Sequence, residues 1–291
     1  MKLEYKVTNN KYRTINQVLV NEFNISTRLL NKLIRHKRIY KNNILADTRE
    51  AIKINDLILI DFNYEEDNSN IVPTKMDLSI LYEDEWLLIL NKPANMAIHP
   101  SISHYESSLS NGIKYYFDNI NLKKKIRPVN RLDKNTSGIV VFAKCEYIQE
   151  QLIKQMQNNE FKKQYLCVID GFLQEKQGTI NLPIARKDNS IIERCVKPNG
   201  QTSITDYIVI KEFKSYSLVK CLLKTGRTHQ IRVHFSYIGH PLIGDTLYGN
   251  PSVLINRQAL HSYKLKFIHP ITKKSMTFMA ELPQDFKNLI N

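Results

Sequence analysis

One carboxylate, Asp133, stands out by the side chains that surround it in the sequence. It lies between Arg131 and Lys134 in the stretch RPVNRLDKNTSGIVVFAK, and an apolar strand is predicted directly after the turn. Nearby cations favour the ionised form of an acid, and an ionised carboxylate at a rigid strand edge could act as a nucleophile or a base. A surface turn with a salt bridge is the alternative, and this stretch taken alone favours that alternative.

Arginine and histidine side chains crowd a second stretch, LLKTGRTHQIRVHFSYIGHPLIGDTLYG, at residues 222–249. The pattern predicts a strand that ends near Gly226 and a helix that follows it. The crowded side chains are Arg227, His229, Arg232, His234 and His240. A metal site is one interpretation, but the histidine spacing matches no zinc motif and the arginines would repel a cation. We therefore expect these side chains to contact phosphates or to orient loops.

Two further stretches carry weaker signals. Tyr165 begins an apolar strand in FKKQYLCVIDG, where a tyrosine packed in the core is the simplest interpretation. The stretch LNKPANMAIHP, at 90–100, predicts a strand that runs into a turn. Neither stretch identifies a site by itself.

Seven strands and three helices are predicted around these stretches. The strands are expected at 87–91, 139–144, 164–171, 205–213, 217–223, 260–267 and 276–280, and the helices at 108–117, 145–157 and 230–238. They do not alternate strictly, as the elements of a doubly wound sheet do. The sequence therefore predicts an α+β fold with a large mixed, mostly antiparallel sheet flanked by helices.

Residues 1–66 are predicted to form a separate, small α/β module with a basic surface. A helix capped by Ser26 follows an earlier helical pattern, and short strands are expected at 38–40 and 57–62. Six Lys or Arg and no acid lie between residues 26 and 41. The candidate RNA contacts are Arg28, Lys32, Arg35, Lys37 and Arg38. A polar linker at 67–76 would connect the module to a second domain at 77–291.

The composition narrows the class of partner. The chain of 291 residues has a net charge of +14, which favours a polyanion and nucleic acid first. Its apolar runs are too short to span a bilayer, and its first residues lack a signal core. Four scattered cysteines without a CxxC pair make disulfides and zinc improbable. We therefore expect a cytoplasmic protein without a membrane partner.

The N-terminal module resembles the S-four-like RNA-binding domain over residues 12–62. The matching segments are HKRIYKNN and INDLILIDF. Asn42 and Asn55 stand where that family usually has glycine or a near equivalent. Asparagine tolerates left-handed backbone, so the resemblance implies that the turns survive.

The remaining chain resembles the RluA-type pseudouridine synthases. The matching segments, in order over 78–291, are NKPANMAIHP, NRLDKNTSG, KQYLCVIDG, TGRTHQIRVHFSYIGHPLIGDTLYG and LHSYKLKFIHP. The resemblance implies a pseudouridine synthase fold and an isomerase that converts specific uridines in structured RNA. It implies large-subunit ribosomal RNA as the first candidate substrate and tRNA as the second.

The resemblance also implies roles for individual residues. Asp133 matches the catalytic aspartate and Arg227 the arginine that pairs with it. Tyr165 matches the tyrosine that stacks on the target base, and Arg131 the arginine that fills the space of the flipped nucleotide. Leu223 is expected to line the base pocket. The other expected RNA contacts are His229 and Arg232.

Two positions depart from the family pattern. Asn130 replaces the usual histidine before Arg131, and Ala94-Asn95 replaces an Ala-Gly turn. The first departure leaves the candidate nucleophile in place, but it could affect how the Asp133 loop is held.

Converting uridine to pseudouridine needs no redox change and no outside group, so we expect neither a cofactor nor a metal, and we expect a monomer. Asp133 would act on the ribose by attacking carbon 1′ or by taking the 2′ proton, and both routes stay open. A non-catalytic RNA-binding or ribosome-assembly factor is the alternative function. The presence of Asp133, Tyr165 and Arg227 together argues against it. A base-releasing glycosidase would need a second carboxylate near Asp133, and none is evident.

Overall fold

The computed structural model describes residues 1–101 and 105–291 of the chain. The strands are β1 (Lys2–Lys6), β2 (Ile39–Lys41), β3 (Ile44–Leu45), β4 (Leu57–Asp61), β5 (Ile80–Glu83), β6 (Leu87–Lys92), β7 (Arg127–Pro128), β8 (Ser137–Ala143), β9 (Lys162–Asp170), β10 (Gln177–Asn181), β11 (Ile184–Arg186), β12 (Arg194–Val196), β13 (Ile204–Glu212), β14 (Tyr216–Leu223), β15 (Leu260–Ile268) and β16 (Ser275–Met279). The helices are α1 (Ile15–Gln17), which continues as a wider turn over Val18–Glu22, α2 (Thr27–Arg35), α3 (Leu109–Asn119), α4 (Glu146–Gln157), α5 (Gln230–Tyr237) and α6 (Gln284–Ile290).

The N-terminal module is a four-stranded antiparallel sheet, in the order β1-β4-β2-β3, with α1 and α2 packed on it. Helix α2 starts as predicted, because the Ser26 hydroxyl accepts a hydrogen bond from the Leu29 amide. Asn42 and Asn55 have φ of 51° and 79°, so the expected left-handed turns are confirmed. Strand β1 was missed, because KLEYK is short and carries charges on alternate residues.

The large sheet contains ten strands. Eight follow the order β10-β13-β14-β9-β15-β8-β6-β5, while β16 pairs with β15 and β7 with β8. Among the described strands, β8 and β15 form the single parallel pair, and the other neighbours are antiparallel. The predicted α+β class with a mostly antiparallel sheet is therefore confirmed.

The long predicted elements of this part of the chain agree with the structure within about two residues at their ends, the usual scatter of boundaries. The strand predicted at 164–171 is β9, for example, and the helix predicted at 145–157 is α4. Missed elements are β5, β7, β10, the β11–β12 hairpin and α6. The hairpin strands have three residues each, too few for a period to be recognised.

The module packs directly on the second part of the chain. Buried Leu19 and Leu33 belong to the same apolar cluster as Trp86 and Tyr147. Ser26, which caps α2, also donates its hydroxyl hydrogen to Glu150 of α4, at 2.6 Å. The two sheets therefore share a core across α4.

A group of buried charges lies at this junction. Arg127 binds both oxygens of Glu66, and Lys32 of α2 contacts Glu66 at 2.9 Å and Glu146 at 2.7 Å. The Tyr64 hydroxyl donates to Glu146 at 2.9 Å. Burial alone would raise the pKa of Glu66, but Arg127 and then Lys32 outweigh it and lower the pKa to about 2. Glu66 is therefore ionised and ties the module to the second part of the chain.

The segment expected to be a linker, 67–76, also makes tertiary contacts. The Asn111 side chain of α3 donates to the carbonyl of Val72, at 2.8 Å, and the Thr74 amide donates to the carbonyl of Asn111, at 3.1 Å. Asn68 and Ile71 are buried. This connection is held against α3 along its length.

Replacing Glu66 with Gln should destabilise the protein in a pH-dependent way. The carboxylate has a lower pKa when folded than the ordinary 4.5, so it stabilises the fold above about pH 4.5 and loses that effect as the pH falls toward 2. We expect Glu66→Gln to lower the free energy of unfolding by about 3 kcal/mol at pH 7. The difference from the wild type should shrink at pH 3 in urea titrations.

Glu65→Gln is the matched control. The Glu65 side chain is 75% exposed and contacts Lys123 alone among the ion pairs of the described residues. It should change the free energy of unfolding by less than about 0.5 kcal/mol at either pH. A Glu66→Gln effect that is equal at pH 7 and pH 3 would contradict the role given to the ionised carboxylate.

Candidate active site

Asp133 lies in the loop between β7 and β8. The loop closes with a turn in which the Thr136 amide donates to the Asp133 carbonyl at 3.1 Å. The carboxylate is partly exposed, with 25% of the side chain accessible. A buried strand thus carries an accessible acid at its start, as the sequence predicted.

Asn130, the residue that replaces the family histidine, attaches this loop to β8. Its side-chain amide donates to the Ile139 carbonyl at 3.0 Å and accepts from the Val141 amide at 2.9 Å. Both backbone groups belong to a strand, so the buried Asn130 side chain continues the β7–β8 ladder where the backbone leaves it. The departure from the family pattern therefore keeps a structural connection at this position.

Close backbone packing holds the other side of the loop. Gly138 of β8 has φ of 113°, and a Cβ atom there would lie 2.2 Å from the carbonyl oxygen of Ser262 on β15. No L residue fits this position without moving a strand. This contact lies where the parallel pair of strands meets, beside the start of the Asp133 loop.

Arg232, not Arg227, contacts the Asp133 carboxylate. One terminal nitrogen, Nη1, lies 3.2 Å from Asp133 Oδ2. The Nε and Nη2 atoms of Arg232 bind the two oxygens of Asp245 at 2.7 and 2.8 Å. Asp245 therefore fixes the guanidinium in a bidentate pair, and the remaining nitrogen faces Asp133.

The expected pairing of Arg227 with Asp133 is thus wrong for this structure. Arg227 is exposed, and its Nε donates to the Thr202 carbonyl at 3.2 Å. It precedes helix α5, whereas Arg232 lies inside the helix, where the side chain is turned toward the Asp133 loop. Arg232 is only 6% exposed, so it is also not placed as the RNA contact that was expected.

Burial and charge act against each other on Arg232. Burial alone would lower the pKa of Arg232, but the hydrogen bonds and charge of Asp245, followed by Asp133, raise it above the ordinary value. Arg232 is therefore a permanent cation at the acid. Arg131 and Lys134, the sequence neighbours, are exposed and form no ion pair with Asp133 among the described contacts.

A buried lysine supports the Asp133 loop from below. Lys92 is fully buried, and its ammonium nitrogen donates to the carbonyls of Pro93, Met96 and Lys134 at 2.8, 2.8 and 3.0 Å. Burial lowers the pKa of Lys92 to about 7, and the Asp133 charge acts in the opposite direction. Lys92 therefore joins the NKPANMA turn to the loop that carries Asp133. Asn95 in this turn has φ of 60°, in the left-handed region.

Tyr165 enters the site from β9. Its ring is buried, and Tyr165 pairs with Ser262 of β15 in the sheet. Burial raises the pKa of Tyr165 well above its ordinary value, and the Asp133 charge adds to this effect. The hydroxyl is therefore neutral near pH 7 and can donate or accept a hydrogen bond.

Several of these residues line one small cleft that opens to the surface and has a cavity volume of about 60 Å³. Asp133, Tyr165 and Arg232 share it with Arg131, Leu223 and Arg227. The exposed Arg131 lies at its rim, and Leu223 supplies an apolar wall at the end of β14. The structure thus brings stretches that are distant in sequence to one opening.

The histidines of the second stretch have different surroundings. His234 is fully buried, between the Thr205 hydroxyl at 3.0 Å and the Leu182 carbonyl at 2.9 Å, so it orients a loop. His240 contacts the carbonyl of Asp170 at 2.8 Å. His229 is half-buried inside the cleft, with Nε2 3.8 Å from Asp133 Oδ1.

The candidate RNA contacts of the module also separate into two groups. Arg28, Arg35 and Lys37 are exposed on and after α2. Lys32 instead lies between Glu66 and Glu146 at the junction, where its ammonium group pairs with both carboxylates. Arg38 is partly buried, 3.5 Å from Asp61.

Three further residues support the site, and the sequence indicated a role for Asn130 alone among them. Asp245 binds the Arg232 guanidinium, Lys92 binds the Lys134 carbonyl in the Asp133 loop, and Asn130 binds β8. Asp245 gave a usable signal, since it is the single acid in the stretch that carries Arg232. Lys92 gave none, because a lysine after an apolar strand is normally solvated.

Within the described ranges, no three His, Cys, Asp or Glu side chains are grouped so as to hold a metal ion. No helix in the described part of the chain has the length and apolar character needed to cross a membrane.

A comparison of the sequence with known protein families agrees with the fold and the site. Residues 86–237, more than half of the chain, match the family model described as RNA pseudouridylate synthase. The chain belongs to this family, and it is an RNA pseudouridine synthase, an isomerase.

Relatives and solved structures agree with that assignment. A Bacillus subtilis (strain 168) protein named "Uncharacterized RNA pseudouridine synthase YjbO" is 40% identical over 270 residues, covering 92% of this chain and 95% of that protein. The "Ribosomal large subunit pseudouridine synthase D" of Blochmanniella floridana is 36% identical, covering 89% and 87%. The solved structure of "Human RNA Pseudouridylate Synthase Domain Containing 1" matches with a TM-score of 0.59 and 27% identity, over 71% of this chain and 84% of that one.

Proposed function

We propose that this enzyme isomerises specific uridines of large-subunit ribosomal RNA and that Asp133 is the group that acts on the ribose. The observation that carries the proposal is the meeting of Asp133, Arg232 and Tyr165 in one cleft. The substrate class is supported by relatives named ribosomal large subunit pseudouridine synthase D, at 32–36% identity. Such a substrate places the enzyme in the cytoplasm.

The reaction can be divided between these side chains. Asp133 acts at the target ribose, by attack on carbon 1′ or by removal of the 2′ proton, and the bond from carbon 1′ to N1 breaks. The freed uracil turns, carbon 5 bonds to carbon 1′, and carbon 5 loses its proton while N1 gains one. Atoms balance within the nucleotide, so no redox partner or outside group is required.

Arg232 and Tyr165 have separate roles in this scheme. The Arg232 guanidinium holds its positive charge beside Asp133 Oδ2. This charge orients the other carboxylate oxygen and stabilises the Asp133 anion when the carboxylate leaves the ribose. Tyr165 holds the detached base by stacking, and its neutral hydroxyl can assist proton transfer from carbon 5. The proposed groups all come from one chain, so the proposal needs no second copy.

The uridine must leave its stack to reach the cleft, at a cost of a few kcal/mol. Arg131 is exposed at the rim and can occupy the space that the nucleotide leaves. The net charge of +14 provides the attraction to phosphate that brings the RNA to this face.

The module of residues 1–66 is proposed as a second RNA contact, with Arg28, Arg35 and Lys37 as its exposed cations. Helix α2 packs on α4, so the distance from these cations to the cleft is set by the junction and not by a free linker. A module held at a fixed distance would select RNA in which a folded element lies that far from the target uridine.

Asp133→Asn should abolish pseudouridine formation while RNA affinity changes little, because the amide keeps the shape but loses the charge and the nucleophile. We expect the single-turnover rate to fall by at least about 10³-fold. Chemical mapping of pseudouridine in ribosomal RNA and tRNA from deletion cells, complemented with each variant, would name the target. Asp118→Asn, on the exposed end of α3, is the control. A wild-type rate for Asp133→Asn would refute the assignment.

Charge reversal on α2 should weaken RNA binding without slowing the chemical step. Arg28→Glu, Arg35→Glu and Lys37→Glu together should lower the affinity. They should also reduce the salt dependence of binding, by about 0.7 to 0.9 in the logarithmic slope for each phosphate that is no longer neutralised. The rate at saturating enzyme should stay near the wild-type value.

The matched control reverses Lys2, Lys6 and Arg13, which are exposed in the same module but lie outside α2. Both triple variants change the net charge equally. If the two lose affinity to the same extent, the effect is one of total charge and α2 is not the binding face.

A further inference from the structure

His229 occupies an unusual backbone position beside the nucleophile. It is the residue before helix α5 and has φ of 58°, in the left-handed region. This conformation is strained for a non-glycine residue, and asparagine or glycine would meet the same demand with less strain. The backbone conformation therefore does not explain why a histidine stands at this position.

The hydrogen bonds around His229 assign its tautomer. The backbone N–H of Arg194, at the start of β12, donates to the Tyr248 hydroxyl oxygen at 2.8 Å. Among the described residues, the acceptor that this hydroxyl reaches with its own hydrogen is His229 Nδ1, at 2.7 Å. A neutral imidazole that accepts at Nδ1 carries its hydrogen at Nε2. Nε2 is the nitrogen that faces Asp133.

Charged groups of both signs act on the pKa of the His229 ring. Burial is the largest cause that lowers the pKa of His229, and Arg232 and Arg194 lower it further, while Asp133 and Asp245 raise it. The net direction is downward, so the ring is neutral at pH 7. The Tyr248 ring lies under the Arg232 guanidinium, at 4.9 Å, which holds it in place.

We propose that His229 is a positioning residue that directs a single N–H at Asp133 Oδ1, while Arg232 holds Oδ2. The proposal rests on the proposed catalytic role of Asp133. The separation of 3.8 Å is longer than a hydrogen bond, and such contacts commonly shorten when a substrate is bound. With one donor on each of its oxygens, the Asp133 carboxylate then has a single orientation in the cleft.

The arrangement also connects the nucleophile to an element at the surface. Arg194 lies on the β11–β12 hairpin, whose tip exposes Ile191 by 83% and Ile192 by 62%. Hydrogen bonds thus run from the hairpin to the His229 ring, which faces Asp133.

Two variants of His229 separate a side-chain role from a backbone role. Glutamine places an amide N–H where Nε2 lies, whereas asparagine places its oxygen near Nδ1 and leaves nothing facing Asp133. We expect His229→Gln to keep the single-turnover rate within about threefold and His229→Asn to lose at least about tenfold, which corresponds to about 1.4 kcal/mol of barrier. RNA affinity should be unchanged in both.

A purely backbone role predicts the opposite order, because asparagine fits the left-handed region better than glutamine. Asparagine equal to or faster than glutamine would overturn the proposal, and so would full activity in both. In either case Asp133→Asn would still be inactive if the proposed function holds, so the two failures are distinguishable.

Tyr248→Phe tests the connection to the hairpin, since it removes the hydroxyl and keeps the ring over Arg232. It should slow single turnover by about three- to tenfold without changing RNA affinity, because both tautomers of His229 become available. Tyr237→Phe, at an exposed tyrosine of α5, should match the wild type. A wild-type rate for Tyr248→Phe would remove the hairpin from the proposal.

Discussion

The Arg232 guanidinium lies between two carboxylates, and the geometry of the site depends on that position. Asp245 is fully buried and binds two nitrogens of the Arg232 guanidinium. The direction of the third nitrogen is therefore fixed before any substrate arrives. Asp133 receives that third nitrogen from a residue 99 positions along the chain. A buried ion pair of this kind is poor evidence of stability, but it defines where a charge is held. The fold therefore supplies preorganised electrostatics at the acid.

The rest of the sheet can be understood as support for that contact. Lys92 joins a carbonyl of the loop to carbonyls of the neighbouring NKPANMA turn, Asn130 attaches the loop to β8, and Gly138 allows β15 to lie close behind it. Each contact is made to backbone, so each constrains the path of the loop and not its side chains. Asp133 remains accessible because these supports lie beneath and behind it.

The N-terminal module extends this rigidity to a second surface. The charges of Lys32, Glu66 and Arg127 lie between the module and α4, and both parts of the chain share an apolar cluster. Removing residues 1–66 would expose this cluster, so truncation does not isolate the module's part in RNA binding. Surface charges outside the junction can be changed without that loss.

Much of the large sheet could be predicted because its strands are long and apolar, as in β8 and β9, and the motifs identified Asp133 and Tyr165. The choice between Arg227 and Arg232 could not be made from sequence, because both lie in one motif and either could face the acid. Only the direction of helix α5 and the position of Asp245 decide it. Lys32 was misassigned for a similar reason, since its carboxylate partners lie 34 and 114 residues away.

The central position of Arg232 is tested most directly by the single-turnover rate at saturating enzyme for Arg232→Lys and Arg227→Lys, with thermal unfolding to show that both are folded. Lysine keeps the charge but cannot bind Asp245 with two nitrogens and Asp133 with a third. We expect a loss on the order of 100-fold for Arg232→Lys and less than about threefold for Arg227→Lys. A large loss at Arg227 with little change at Arg232 would contradict the role given to Arg232.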